Sequence, residues 1–288
     1  LAQQVPLPPL SEQRRIVEIL DQADRIRRLR ADADAKADRI LPALFIKMFG
    51  DPRTNPMGWP VKPLGEIGEL DRGRSRHRPR NDPALLGGSY PLIQTGDIAN
   101  SGGRITQYTQ TYSELGLGQS KMWPAGTLCI TIAANIANTG VLEFDACFPD
   151  SVVGFVPSPD TTTEYVQFLL TQLRSVLEAG ATQVAQKNIN LKMLRSLVVP
   201  VPPIDLQNRF SMHVRKQYAC RATQTLIHEK LDRLFASATS RAFTGDLTAS
   251  WREAHRKELL QEMEQQQTVL KEEKLSWNPA VEKQQIES

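Results

Sequence analysis

The chain states one pattern twice, and that repetition limits what it can fold into. Val5-Pro6-Leu7-Pro8-Pro9-Leu10-Ser11-Glu12-Gln13-Arg14-Arg15-Ile16 returns as Val199-Pro200-Val201-Pro202-Pro203-Ile204-Asp205-Leu206-Gln207-Asn208-Arg209-Phe210, an offset of 194 residues from Pro6 to Pro200. The same offset carries Arg39-Ile40-Leu41 onto Arg233-Leu234-Phe235 and Phe49 onto Phe243. The repeated unit is therefore about one long helix. Proline fixes φ and holds the preceding residue extended, so each copy begins as a stiff stalk and can turn helical only after it. Ser11 and Asp205 stand where N-caps are expected. Ile16, Ile19, Leu20, Ala23, Ile26, Ala33, Ala37, Ile40 and Leu44 then follow a three/four alternation; the second copy carries Phe210, Val214, Tyr218, Ala222, Leu226, Leu231, Leu234 and Phe235, with a more polar middle whose register the spacing leaves open. A helix of roughly 38 residues is about 57 Å long, more than a small domain covers. The two stripes are thus expected to pack on each other as an antiparallel coiled coil.

Between the copies lies a different kind of sequence. Asn55-Pro56-Met57-Gly58-Trp59-Pro60 is a turn-rich boundary. Short β-like runs follow at Tyr90–Gln94, Thr127–Ile132, Gly140–Phe144 and Val152–Val156, with helices expected over Glu164–Leu177 and Lys187–Leu197. The expected architecture is a mixed α/β (α+β) globular domain flanked by two long helices. Residues 1–60 hold the proline-rich stalk, first helix and linker, 61–200 the domain, 201–247 the second helix, and 248–288 an acidic helical tail with Leu259, Leu260, Met263 and Leu270 on a partial stripe.

Composition places this plan in an aqueous compartment. Hydrophobic residues make up 40% and charged residues 23%, no window is apolar enough to span a membrane and no secretory leader is visible, so a cytoplasmic protein without membrane contact is expected. Cys129, Cys147 and Cys220 have neither disulfide nor metal-ligand spacing and read as buried small hydrophobes. The net charge is only +3, but Arg72, Arg74, Arg76, Arg78 and Arg80 crowd one stretch broken by Gly, Ser and Pro. Such a stretch must be an exposed loop, suited to phosphate backbones.

Catalytic patterns fail one by one. Asn55-Pro56-Met57-Gly58-Trp59 has the wrong spacing for an amino-methyltransferase loop, and Gly116-Leu117-Gly118 lacks both the third glycine of a dinucleotide loop and a Gly-Lys-Ser/Thr end. Pro149-Asp150 and Glu164-Tyr165-Val166 bring no lysine for a metal-dependent nuclease, and the four histidines are scattered. No catalysis, cofactor or metal is expected.

The doubled Pro-Pro-Leu-Ser-Glu-Gln-Arg-Arg-Ile pattern, Gly58-Trp59 with Leu64-Gly65-Glu66-Ile67, and Ile93-Gln94-Thr95-Gly96-Asp97-Ile98 stand in a fixed order. Gly180-Ala181-Thr182-Gln183 leading to Asn188-Ile189, and the closing Phe243-Thr244-Gly245-Asp246-Leu247, continue it. From Val5 to about Leu259 the chain resembles the specificity (S) subunits of type I restriction-modification systems. The resemblance implies double-stranded DNA as ligand, one target-recognition domain reading half of a bipartite site, and helices that dock methyltransferase (M) subunits and, through them, restriction (R) subunits. S subunits carry two recognition domains, whereas this sequence shows one; a missing N-terminal domain and a natural half-subunit that pairs as a homodimer are both expectations consistent with that. The alternative is a structural or regulatory coiled-coil protein that binds methyltransferase subunits without reading DNA. It has no need of exposed Arg, Asn and Gln, whereas Arg suits guanine and Asn or Gln suits adenine. The candidate DNA-binding set is Arg72, Arg74, Arg76, Arg78, Arg80, Gln94, Thr95, Arg104, Lys121, Asn135, Asn138, Gln183 and Lys187. Taken singly, each is also an ordinary surface residue or turn former. As a group the arginine loop is strongest, for phosphate positioning rather than base readout.

Overall fold

The computed structural model describes residues 8–276 apart from residue 78, residues 134–136 and residues 183–188. Two compact units emerge, Ala37–Arg221 and the pair of segments Leu1–Lys36 with Ala222–Ser288. In chain order come α1 (Leu10–Asp38), α2 (Ile40–Phe49), β1 (Val61–Pro63), β2 (Gly68–Arg72), β3 (Leu86–Leu92), α3 (Thr95–Asn100), β4 (Arg104–Ile105) and β5 (Gln110–Tyr112). Then follow α4 (Glu114–Gly118), β6 (Met122–Trp123), β7 (Leu128–Thr131), β8 (Thr139–Leu142), β9 (Ala146–Cys147) and β10 (Val152–Pro157). The chain continues with α5 (Thr163–Gln172), α6 (Arg174–Thr182), α7 (Leu191–Ser196), β11 (Val198–Pro200), α8 (Ile204–Thr244), α9 (Ala249–Ala254) and α10 (Arg256–Ser276).

In the unit Ala37–Arg221, a five-stranded sheet runs in the order β2-β10-β7-β8-β4 and a four-stranded sheet in the order β5-β3-β9-β6. β1 and β11 make a separate antiparallel pair, with Val61 opposite Pro200 and Pro63 opposite Val198. Strands β7 and β10 read as unbroken apolar runs because both their faces are covered. Leu128, Ile130, Val153 and Phe155 point into the larger core with Val166, Leu169 and Leu170 of α5, while Cys129 and Val152 join Trp123 and Phe148 on the other side. Gly154 is required there: a Cβ would come within 2.7 Å of the Trp123 ring. Phe45 and Phe49 of α2 enter the larger core against Tyr165 and Phe210, with ring centroids 4.9–5.7 Å apart. Tyr165 adds a buried hydrogen bond from its hydroxyl to the Pro200 carbonyl at 2.7 Å, and burial pushes its pKa up.

The repeat is structural, down to hydrogen bonds. Gln13 Nε2 donates to the Pro8 carbonyl at 2.7 Å and Gln207 Nε2 to the Pro202 carbonyl at 2.8 Å. The carbonyls of Pro9 and Pro203 accept the first helical bonds, from the Gln13 and Gln207 amides. These prolines are therefore the flanking cap residues, and the expected caps Ser11 and Asp205 lie inside the first turn. The Ser11 hydroxyl instead donates to Glu262 of α10.

Within the unit formed by Leu1–Lys36 and Ala222–Ser288, side-chain contacts join α1 and α8 in antiparallel order: Arg27 to Asp232 at 3.2 Å and over the Phe235 ring, then Asp34 to His228 at 3.2 Å. Of the expected stripe, Ile26 is 53% and Leu234 66% exposed, while Ile16, Ile19, Leu20 and Ala23 are half-buried, so the described residues do not form one continuous interlocked seam. The side-chain contacts that join the two helices here are ion pairs and one cation–ring contact. Glu12 is buried and accepts from Thr248 Oγ1 at 2.6 Å and Arg252 Nε at 2.8 Å, fastening α9 to the start of α1.

Other expectations need correction. The helix expected over Glu164–Leu177 is broken at Leu173 into α5 and α6, and the last short helix begins at Leu191. Cys129 and Cys147 are buried as expected, but Cys220 is exposed, on a polar stretch of α8. Several two- and three-residue strands, such as β4, β6 and β9, are too short to show alternation in sequence.

Candidate nucleic-acid interface

The arginine stretch leaves the edge strand β2 at Arg72 and is fixed by its backbone. The Gly73 amide donates to Val152 O at 2.9 Å and the Arg74 amide to Phe148 O at 3.1 Å. The approach is so close that a Cβ on Gly73 would sit 2.2 Å from the Phe148 oxygen. Ser120 Oγ donates to the Arg74 carbonyl at 2.9 Å, and Gln119 Oε1 accepts from the Arg76 and His77 amides. His77 Nε2 lies 3.0 Å from Asp82 Oδ2. The Asp82 carboxyl is held below its ordinary pKa by the Ala84 amide and by His77. Main-chain anchoring leaves the side chains outward. Arg72, Arg74 and Arg76 are exposed, and their guanidinium groups have no hydrogen-bond or ion-pair partner among the described residues. Arg80 differs, since Nη2 lies 2.6 Å from Asp150 Oδ1. Gln119 and Ser120 carry no sequence signal for this task, being more than 40 positions from the loop they hold.

The remaining candidates divide by environment. Lys121 stacks 3.8 Å over the Trp123 ring and leans toward Asp71 and Glu69 at 3.8 and 4.0 Å, close to the loop but partly neutralised. Gln94 and Thr95 lie half-buried at the start of α3. Asn138 is half-buried before β8, its Oδ1 accepting from Arg174 Nη1 at 3.1 Å. Arg104 starts β4, the edge of the five-stranded sheet opposite β2, and four strand spacings of about 4.8 Å place these edges roughly 19 Å apart. Its side chain is 14% exposed and committed to Glu143 at 2.8 Å and Glu164 at 2.9 Å. That makes Arg104 a brace inside the domain. Burial pushes the Glu164 carboxyl up, but hydrogen bonds from Arg215, from its own amide and from Arg104 outweigh this and hold it below the usual carboxylate range. Arg78, Asn135, Gln183 and Lys187 lie outside the described residues.

Strand register shows what shares a rim. β2 ends, β10 begins, β7 ends and β8 begins at one end of the five-stranded sheet, since Arg72 pairs with Val153, Val152 with Thr131, and Ile130 with Thr139. The arginine loop and Asn138 therefore lie at the same end. Among the described residues no group of three or more His, Cys, Asp and Glu is placed to hold a metal ion, and no helix is long and apolar enough to cross a membrane.

The chain belongs to the family of type I restriction modification DNA specificity domains, which residues 56–239, more than half of its length, match. It is 24% identical to the EcoKI type I restriction enzyme specificity subunit of Escherichia coli (strain K12), over 86% of this chain and 58% of that one. The HsdS subunit from Thermoanaerobacter tengcongensis superposes with a TM-score of 0.55 at 24% identity, covering 84% of this chain and 61% of that subunit. The type I restriction-modification S subunit from M. genitalium gives 0.53 at 16% identity, covering 80% and 60%. These structural likenesses are of fold. The chain spans about three fifths of the length of each of these relatives.

Proposed function

We propose that this protein is a non-catalytic specificity subunit that reads one half of a bipartite double-stranded DNA target and docks methyltransferase subunits, with restriction subunits joining through them. The observation that carries the reading is the arginine loop, anchored through its main chain with three unpaired guanidinium groups turned outward. A loop ordered before DNA arrives loses little conformational entropy on binding. Residues 61–200 are the recognition domain in this reading, set between the helix of 1–60 and that of 201–247, with 248–288 as a tail. Apolar residues left exposed along α1 and α8, including Leu29 and Leu234, support docking of a partner on the helices. The work is placed in the cytoplasm, and two copies pair if the chain acts as a half-subunit. Co-expression with the cognate methyltransferase, followed by binding to a randomised duplex library, tests this. Retention of the methyltransferase and enrichment of a sequence are expected; failure of both refutes the assignment.

A further inference from the structure

Two glutamines touch near the margin of the four-stranded sheet, and only one has a free polar edge. Gln94 forms a capping box with Asp97: its side chain accepts from the Asp97 amide, and Asp97 Oδ2 accepts from the Gln94 amide at 2.8 Å. Once the oxygen of a side-chain amide is assigned by such a bond, its nitrogen is assigned too. Gln94 Nε2 donates to Gln110 Oε1 at 3.0 Å. The orientation of the Gln110 amide follows, with its oxygen toward Gln94 and its Nε2 without a partner among the described residues. Thr109 Oγ1 donates to Asp97 Oδ1 at 3.1 Å, so the exposed loop from Thr106 to Thr109 is pinned to the same capping box just before Gln110 opens β5.

Register relates this pair to the arginine loop. Gln110 lies opposite Leu92, Leu92 opposite Cys147, and Cys147 opposite Met122. Three strand spacings of about 4.8 Å separate Gln110 from Met122 by roughly 14 Å. Met122 follows Lys121 and Ser120, and Ser120 holds the Arg74 carbonyl. A separation of roughly 14 Å is comparable to the ~12 Å width of a major groove, so one duplex can meet both the arginine loop and Gln110.

Resting on the DNA-reading function proposed above, we propose that Gln110 reads an adenine in the major groove, and that Gln94 is a positioning residue that fixes the Gln110 amide for it. Adenine presents N7 as acceptor and N6–H as donor. Gln110 Nε2 donates to N7, and Gln110 Oε1 uses its second lone pair to accept from N6 while keeping the bond from Gln94.

The test uses the full chain and a randomised duplex library, with the bound fraction sequenced. Wild type is expected to enrich adenine at one position. Gln110→Ala should lose roughly 5- to 150-fold of discrimination there, leaving every other position and the salt dependence unchanged. Gln110→Glu, acceptor only, should move that position toward cytosine, whose N4 donates. Gln94→Ala should weaken the same single position, an effect that a merely structural role would spread over all positions. If Gln110→Ala keeps every preference while arginine variants lose binding, the glutamine assignment is overturned and DNA reading stands. A wild-type chain that enriches no sequence overturns both.

Discussion

Replacing Arg72, Arg74 and Arg76 together by alanine isolates the electrostatic part of binding. The three side chains are exposed and lack partners among the described residues, so their loss leaves no carboxylate stranded and should not alter stability. If each guanidinium covers one phosphate, the slope of log affinity against log salt becomes shallower by about 0.9 per contact, roughly 2.7 in all. Between about 50 and 200 mM salt, that change makes the loss of affinity roughly 40-fold smaller than in wild type. Fluorescence anisotropy on a preferred duplex and a random one, each across a salt series, reads both slopes. Affinity should fall on the two duplexes alike. Arg80→Ala is the internal comparison: its guanidinium already faces Asp150 at 2.6 Å, and its removal should change the slope by less than about one contact's worth. A triple variant with wild-type slope on both duplexes would remove the loop from the interface. Loss confined to the preferred duplex would instead make these arginines base readers.

Three other changes probe what holds the site in place. Phe45→Ala removes a ring packed against Phe49, Tyr165 and Phe210 and should lower the unfolding free energy by about 3–5 kcal/mol in urea titrations; a loss below about 1 kcal/mol would contradict the packing described. Gly73→Ala forces a Cβ toward the Phe148 and Pro149 oxygens, and should speed hydrogen exchange at the Arg74 amide and weaken binding to all duplexes; unchanged exchange would show that the anchor is dispensable. Glu164→Gln should destabilise by about 1–3 kcal/mol at neutral pH through weakened charge-assisted hydrogen bonds. Because the folded-state pKa of Glu164 is lowered, its stabilisation is present above the ordinary value of about 4.3 and disappears as pH falls through the folded value, so wild type and variant should converge in acid; a gap that persists there would exclude this cause.

Local chemistry was legible in the sequence, and long-range partnership was not. The extended prolines just before each helix (Pro8 and Pro9, Pro202 and Pro203), the helices after them and the loop character of Gly73 to His77 all follow from φ restriction, periodicity and glycine, properties of a few neighbouring residues. The buried runs at Leu128 and Val152 showed as strands for the same reason. Arg104 could not be sorted by such means. In sequence it is one more polar loop residue, and only the fold brings Glu164 to within 2.9 Å of it from 60 positions away. The caps failed more narrowly: Ser and Asp are good capping residues, but each sits one position beyond the helix start, where Pro9 and Pro203 already supply the first acceptor. Asp97, read only as part of a motif, fixes Gln94, Thr109 and through them Gln110, a role that spacing alone does not reveal.

The two copies of the repeat show where sequence equivalence stops controlling structure. Gln13 and Gln207 make the same bond to the proline five residues before them, because that bond needs only the local chain. Phe49 and Phe243 are equally equivalent in position, yet Phe49 is 3% exposed and Phe243 85%. What differs is the surroundings: Tyr165 and Phe210 close over Phe49, while among the described residues no aromatic ring meets Phe243. Leaving a phenylalanine in water forgoes about 1.5–3 kcal/mol of burial, and Leu29 and Leu234 forgo similar amounts along the same helices. Association that covered these side chains would recover that free energy without altering the helices. In the proposed function, the methyltransferase is what covers them.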